Sequence, residues 1–283
     1  MTFSQISKNE FVQHCKLVSE KSFFQSLEMG ELLTKRGYDV RFVGYRDSSS
    51  TIVISSLVFC KKMFGGLYME LNSGPVVSDN SYLDKFFHSL RDYAKHEGVL
   101  ELVVKPSQTY QTFDSNGQPL GFEDTHLIEM LTKNDFQYDG LQTGYPNGEP
   151  VWHYVKDLEG ITEDTLVSSF SKKGKVLSKK ANSFGLNITR LTKDELPRFK
   201  AITEATSNRR DYTDKPLDYY EAFYDSFGDK CEFVIATINF QDYLKNIGYE
   251  IIDVNKHFSR FCEISFSIEL NFSFNFFTKL YSS

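Results

Sequence analysis

Apolar residues recur at helical spacing near the start of the chain. Phe11, Val12, Cys15 and Val18 share one face of a helix predicted over residues 9–21. Phe23–Thr34 repeats the period, with Ser22 placed to cap it and Gly37 to end it. The spacing then becomes that of strands. Val40–Tyr45, Thr51–Phe59 and Leu67–Leu71 are strand-like runs; polar Asp47–Ser50 joins the first two as a hairpin, and Gly65 and Gly66 punctuate the entry to the third. The clearest helix is Ser81–His96, where Leu83, Phe86, Phe87, Leu90, Tyr93 and Ala94 keep a single stripe until Gly98 stops it. Leu100–Val104 predicts a buried strand, and His126–Asn134 another helix, before Gln137–Thr143 leads into a loop.

That loop, GYPNGEP over Gly144–Pro150, is the best candidate boundary, because the pattern restarts beyond it. Trp152–Asp157 predicts a strand, and Thr162 caps a helix that runs on to Gly185. Leu186–Leu191 follows as a strand, Thr192 caps a helix from Glu195 to about Ala205, Pro216 opens a helix over Leu217–Phe227, and Glu232–Ile238 closes the series as a strand. Strands and helices alternate in both halves. The expected class is therefore mixed α/β (α+β), in two units of similar size.

Composition places the chain among globular proteins: 40% hydrophobic and 25% charged over 283 residues, with 26 Phe and 16 Tyr. The formal net charge of −6 argues against a protein that wraps polyphosphate over its whole surface, so any nucleic-acid contact should be local. Cys15, Cys60, Cys231 and Cys262 form no CxxC pair, and the chain opens on MTFSQISKNEFVQHC without a secretory leader, which points to a cytoplasmic protein with reduced thiols. The six histidines show neither HxH nor HExxH spacing, and no metal site is expected.

Against this acidic background one stripe stands out. Lys172, Lys173, Lys175, Lys179 and Lys180 fall within SKKGKVLSKKANSFGLNI with no acid among them. Such a stripe is ordinarily a solvated helix face. Here it lacks the interspersed Glu that makes i,i+4 pairs, and Val176, Leu177 and Ala181 are expected to form a narrow buried face that fans the lysines toward a phosphate-bearing partner. A second group, SNRRDYTDKPLDYY, sets Arg209, Arg210 and Lys215 around a turn before Tyr219 and Tyr220; arginine forks suit diphosphates and carboxylates, and an Arg-rich turn that caps its neighbours is the plain alternative. A third places Lys35, Arg36 and Tyr38 at a helix end, where cations also complement the helix dipole.

These blocks carry a resemblance. FFQSLEMGELLTKRGYDVRFVG, the SGPVV turn, KKGKVLSKKANSFGLNITRL with ELPRF behind it, DYTDKPLDYY and ATINFQDYLKNI occur in the order and spacing of the Fem family of peptidoglycan interpeptide-bridge aminoacyltransferases. The chain resembles in particular its MurM/MurN branch, over roughly residues 1–247. The resemblance implies two GNAT-like subdomains, the first over 1–149 and a partial second over 150–247. It implies transfer of an amino acid, alanine or serine, from aminoacyl-tRNA to the stem-peptide lysine amine or growing branch of lipid II or UDP-MurNAc-pentapeptide. Lys35 and Lys215 are then expected to engage the precursor's diphosphate, Tyr38 and Tyr219 to line the same site, Arg209 to assist there, and the lysine stripe to face tRNA. Lys215 stands where the family more often has Arg, and Tyr38 where Trp can occur. Contact with the inner face of the plasma membrane is expected to be peripheral, since the acceptor is lipid-linked.

An aminoacyl ester is already activated and the nucleophile is the substrate's own amine, so this chemistry calls for alignment and a neutral amine rather than a cofactor or a catalytic triad. Residues 248–283 depart from the family pattern. They are rich in Phe and Ser, with Phe266, Ile268, Leu270, Phe272, Phe274 and Phe276 alternating, and read as out-of-frame translation that leaves the second subdomain incomplete. A non-catalytic remnant that binds tRNA or lipid II is the alternative expectation. An acetyl-CoA-dependent enzyme ranks last, because the R/Q-x-x-G-x-G/A pyrophosphate loop is missing.

Overall fold

The structure, a computed structural model, describes residues 2–141, 152–182, 186–239 and 243–244. The chain divides into two compact units, Met1–Val151 and Trp152–Ser283. The GYPNGEP loop, Gly185 and the Phe/Ser-rich tail lie outside the described residues.

Unit 1 is a six-stranded sheet with helices on both faces. It opens with β1 (Thr2–Gln5) and α1 (Lys8–Leu17). Ser7 starts α1 through a capping box: its Oγ accepts from the Glu10 amide at 3.2 Å while Glu10 Oε2 accepts from the Ser7 amide at 2.8 Å. Helix α2 (Leu27–Lys35) is shorter than its apolar period predicts, because Ser26 and not Ser22 supplies the cap, its Oγ accepting from the Met29 amide at 3.1 Å. Gly37, at φ +86°, ends it by letting the Tyr38 amide turn back onto the Leu33 carbonyl at 3.0 Å.

Then come β2 (Asp39–Arg46), β3 (Ile52–Met63), β4 (Gly66–Asn72), β5 (Val76–Val77), α3 (Leu83–His96), β6 (Val99–Lys105), a small hairpin of β7 (Thr112–Phe113) and β8 (Pro119–Leu120), and α4 (His126–Lys133). The sheet order is β1-β2-β3-β4-β6, with β5 also on β3; every pairing in it is antiparallel except β4 with β6. The two-residue period of β2 decides what each face meets. Phe42 packs on Phe11 of α1 at 4.7 Å between ring centroids, whereas Val43 and Tyr45 join the core under α3. Phe86, Phe87 and Leu90 of α3 are wholly buried in that core, each worth roughly 2 kcal/mol in apolar burial.

Unit 2 departs further from expectation. Residues 152–157, predicted as a strand, form no regular element. The single helix expected from Thr162 through the lysines is two: α5 (Glu163–Leu166), continued by a 3-10 turn over Val167–Ser169, and α6 (Lys172–Asn182), separated by extended backbone at Phe170. Thr162 starts α5 as predicted, and the break lies at Ser171, whose Oγ accepts from the Gly174 amide at 3.2 Å to start α6 afresh. Beyond lie β9 (Leu186–Arg190), α7 (Leu196–Arg210), α8 (Leu217–Phe227) and β10 (Val234–Ile238), with β9 and β10 paired antiparallel. Arg209 and Arg210, expected in a turn, occupy the last turn of α7. The core here is aromatic: Phe233 is ringed by Phe199, Tyr220, Phe223 and Tyr224 at 5.1 to 6.1 Å.

Candidate functional site

Parallel β4 and β6 end side by side, at Asn72 and Lys105, and the chain leaving each must diverge. A cleft of about 500 Å³ opens at that divergence, where ligands settle in open α/β sheets. Gly74, Pro75, Asn80, Ser107 and Gln108 line it, together with Lys21 from the α1–α2 connection. The SGPVV turn singled out in the sequence therefore forms one wall. Where β4 and β6 end, Lys105 Nζ pairs with the buried Glu70 at 2.9 Å, and Tyr68 donates to the same carboxylate.

The divergence also leaves a gap within the sheet. β3 pairs with β5 at Ile54–Ser55 and with β4 from Phe59 onward, and Gln25 fills the space between. Its Oε1 accepts from the Leu57 amide at 2.7 Å and from Ser56 Oγ at 3.0 Å; its Nε2 donates to the carbonyls of Asn72 at 2.7 Å and Leu57 at 3.2 Å. All four contacts fit the hydrogen-bonding capacity of an amide. Only a glycine fits at position 74, since a Cβ there would stand 2.7 Å from Gln25 Cδ. Further along, His14 Nδ1 meets Ser55 Oγ at 2.7 Å and Nε2 meets Ser78 Oγ at 3.2 Å. Burial holds this imidazole below its ordinary pKa and so in the neutral form. Neither Gln25 nor His14 was identified by hydrophobic period, because each has a polar neighbour in sequence, Ser26 beside Gln25 and Gln13 beside His14.

Lys35 and Tyr38 lie elsewhere in unit 1, either side of the end of α2. Lys35 is exposed on the last turn of α2, and Tyr38 packs edge-on against Phe59 at 5.0 Å with the Arg36 guanidinium 5.3 Å from its ring. Tyr38 leads into β2 opposite Cys60, so this pair stands beside the β3–β4 turn, at the other end of the sheet from the cleft.

In unit 2, Lys215 Nζ lies 5.7 Å from the ring of Tyr219, which is half-buried against Tyr220. Arg209 is exposed at the end of α7. A polar cluster surrounds a neighbour that sequence reasoning passed over. Asp214 accepts from Lys200 Nζ, Thr203 Oγ1 and Tyr220 Oη, each at 2.7 Å. Burial opposes the Asp214 charge, yet these three donors outweigh it and keep its pKa below the usual carboxylate value; burial and the same aspartate push the Tyr220 phenol up. Its sequence signal was adjacency to Lys215 in DYTDKPLDYY.

Along α6, Lys172, Lys173, Lys179 and Lys180 are exposed and Lys175 is half-buried. The expected narrow apolar face does not form as drawn: Val176 and Leu177 are 59% and 54% exposed. The separate cap at Ser171 turns α6 independently of α5, so the apolar period of a continuous helix no longer applies.

The chain is thus mixed α/β in two units, with exposed cations at the end of α2, at the end of α7 and along α6. The FemAB family profile matches residues 6–265, and the chain belongs to the FemAB family. The match runs past residue 247, into the Phe/Ser-rich stretch that departs from the family's motifs. Aminoacyltransferase FemB of Staphylococcus epidermidis is 27% identical over 259 residues, which is 89% of this chain and 62% of that protein. Aminoacyltransferase FemA of Staphylococcus aureus is 25% identical over 270 residues, 92% of this chain and 63% of its own length. The chain thus spans about three-fifths of these relatives. A crystal structure of FemX shares the fold, at TM-score 0.62 and 15% identity over 96% of this chain and 68% of that one.

Proposed function

We propose that the chain is an aminoacyltransferase of peptidoglycan bridge synthesis. It moves alanine or serine from aminoacyl-tRNA to the stem-peptide lysine amine, or the growing branch, of lipid II or its soluble UDP-MurNAc-pentapeptide counterpart, as in the MurM/MurN branch. The observation that carries this is family membership together with relatives named aminoacyltransferases on either hand of it. In the reaction the amine attacks the ester carbonyl, an amide forms, the ester bond to the terminal ribose breaks, and the amine's proton leaves as the ribose hydroxyl recovers one. No external electron source or energy donor is needed, so the protein's contribution is alignment and the exclusion of water.

Charge distribution supports the roles. The acceptor carries a diphosphate and the donor a polyphosphate backbone, while the chain's net charge is −6. Local cations must therefore recruit both. Lys35 with Tyr38, and Lys215 with Tyr219 and Arg209, are assigned to the acceptor; Lys172, Lys173, Lys175, Lys179 and Lys180 are assigned to tRNA. The cleft beside Gly74 offers a concave surface to the acceptor's peptide. Among the described residues no helix is long and apolar enough to cross a membrane, so contact with a lipid-linked acceptor is assigned to the protein's surface.

Steady-state kinetics test the assignment. Lys35→Ala and Lys215→Ala each raise KM for the precursor about tenfold with little change in kcat, as expected when a ground-state charge contact is lost. Lys215→Arg keeps or improves affinity because it restores a bidentate fork. An unchanged KM in both alanine variants removes these residues from the acceptor site.

A further inference from the structure

The end of unit 1 that carries Lys35 differs in character from the rest of that unit. β3 and β4 extend beyond their neighbour there: Lys61 pairs with Tyr68, Lys62 with Leu67 and Met63 with Gly66, whereas β2 stops pairing at Cys60. The protruding turn leaves Phe64 entirely in solvent, at 102% relative exposure, beside Met63 at 39%. Leu100, 62% exposed, adds a third apolar side chain against the same turn, since a Cβ at Gly65 would lie 3.5 Å from its Cδ1. A phenylalanine held out at a hairpin tip contributes no burial to folding, and three apolar groups gathered at one tip mark a contact surface.

The surroundings of this tip are basic. Lys61 and Lys62 flank it and are exposed. Exposed Lys95 adjoins it, because the Gly98 amide bonds the Lys95 carbonyl at 3.2 Å while the Gly98 carbonyl takes the Leu67 amide at 3.1 Å. Lys35 and Arg36 stand at the same end, just ahead of the Asp39–Cys60 pair. Of the acids nearby, Asp39 and Glu97 are both held by Arg41, at 2.8 and 2.7 Å, and Glu101 is exposed on β6.

We infer that this hairpin end is the surface by which the chain rests on an anionic lipid bilayer. Phe64, Met63 and Leu100 enter the boundary between headgroups and acyl chains, while Lys61, Lys62 and Lys95 face the anionic headgroups. Charge selects the partner: an apolar point ringed by lysines matches a surface that is apolar within and anionic at its edge. The inference rests on the proposed function for the reason a bilayer is at hand. A lipid-linked acceptor holds its diphosphate at headgroup level, and Lys35, assigned to that diphosphate, lies at the same end of the unit.

The test is co-sedimentation of the full chain with vesicles of phosphatidylcholine alone and of equimolar phosphatidylcholine and phosphatidylglycerol. Binding is expected to the mixed vesicles only, and to weaken with salt. Lys61→Ser and Lys62→Ser should each lower partitioning about fivefold, and Phe64→Ser should lower it further, all three without loss of thermal stability because the side chains are exposed. In a Trp152→Phe background, Phe64→Trp should shift its emission to the blue on the mixed vesicles. Failure of the full chain to bind, binding that survives these substitutions, or an unshifted emission overturns the inference. So does self-association without vesicles that Phe64→Ser abolishes, which would make the tip an interface between copies. The vesicles contain neither precursor nor tRNA, so a chain inactive in transfer can still pass this test, and an active one can fail it.

Discussion

Gln25 bonds both backbone groups of Leu57, accepting from its amide at 2.7 Å and donating to its carbonyl at 3.2 Å, so that one side chain serves β3 as a neighbouring strand would. Gln25→Leu removes the acceptor of the buried Leu57 amide and one donor each from the Leu57 and Asn72 carbonyls, Leu57 keeping Ser56 Oγ at 3.2 Å. It should lower unfolding free energy by about 3 kcal/mol in urea titrations. Gly74→Ala drives a methyl into the same amide and should cost about 2 kcal/mol. Because the two positions share one space, the double variant Gln25→Ala/Gly74→Ala should be more stable than the sum of its parts predicts. Strict additivity would separate the two residues.

His14 makes unit 1 sensitive to mild acid. Its folded pKa lies below the ordinary 6.5, because burial disfavours the charged ring. As pH falls, the unfolded chain takes the proton first. The stability His14 contributes is thus fully present above about 6.5 and is lost as pH drops toward the folded value, by at most about 1.4 kcal/mol per pH unit. Urea midpoints measured across that window should fall, and His14→Gln should flatten the slope. An identical slope in the variant would assign the effect to other groups.

In unit 2 the Asp214 cluster fixes how α7 meets the start of α8. Tyr220→Phe removes one of three hydrogen bonds and should cost about 1 kcal/mol. Asp214→Asn keeps the shape but forfeits the charge that Lys200 and Tyr220 address, and should loosen unit 2 more than Tyr220→Phe does. Limited proteolysis within unit 2 reads this order; the reverse order would contradict it.

The order of elements in unit 1 was legible because α3 and β2 to β4 carry strong, regular apolar periods, and Phe86, Phe87 and Leu90 are as buried as their spacing requires. Period alone could not locate breaks made by hydroxyl caps. Ser26 displaced Ser22 as the start of α2, and Ser171 split the predicted long helix in two. The residues that shape the cleft were harder still. Gln25 and Gly74 lie far apart in sequence and matter only because β4 and β5 part at that point, which no local pattern records. Lys35, Tyr38, Lys215 and Tyr219 were reached by likeness to a family; the structure sets Lys215 5.7 Å from the Tyr219 ring, whereas the cation over Tyr38 is Arg36.

The lysines of α6 should be read through salt. If they contact phosphates, the slope of log affinity for tRNA against log salt should fall by about one for each lysine replaced by alanine, with little dependence on tRNA sequence. A slope that stays constant through Lys172→Ala, Lys173→Ala and Lys179→Ala would return this helix to the status of a solvated face.

Transfer itself is the most direct measurement. The purified chain is incubated with radiolabelled alanyl-tRNA or seryl-tRNA and lysine-containing lipid II, and the lipid fraction is followed for label and for mass. The expected result is one added aminoacyl group in amide linkage on the stem-peptide lysine, absent when that lysine is acetylated beforehand. Binding of both substrates with no labelled branch, under conditions where a Fem-family enzyme yields product, would contradict the proposed activity.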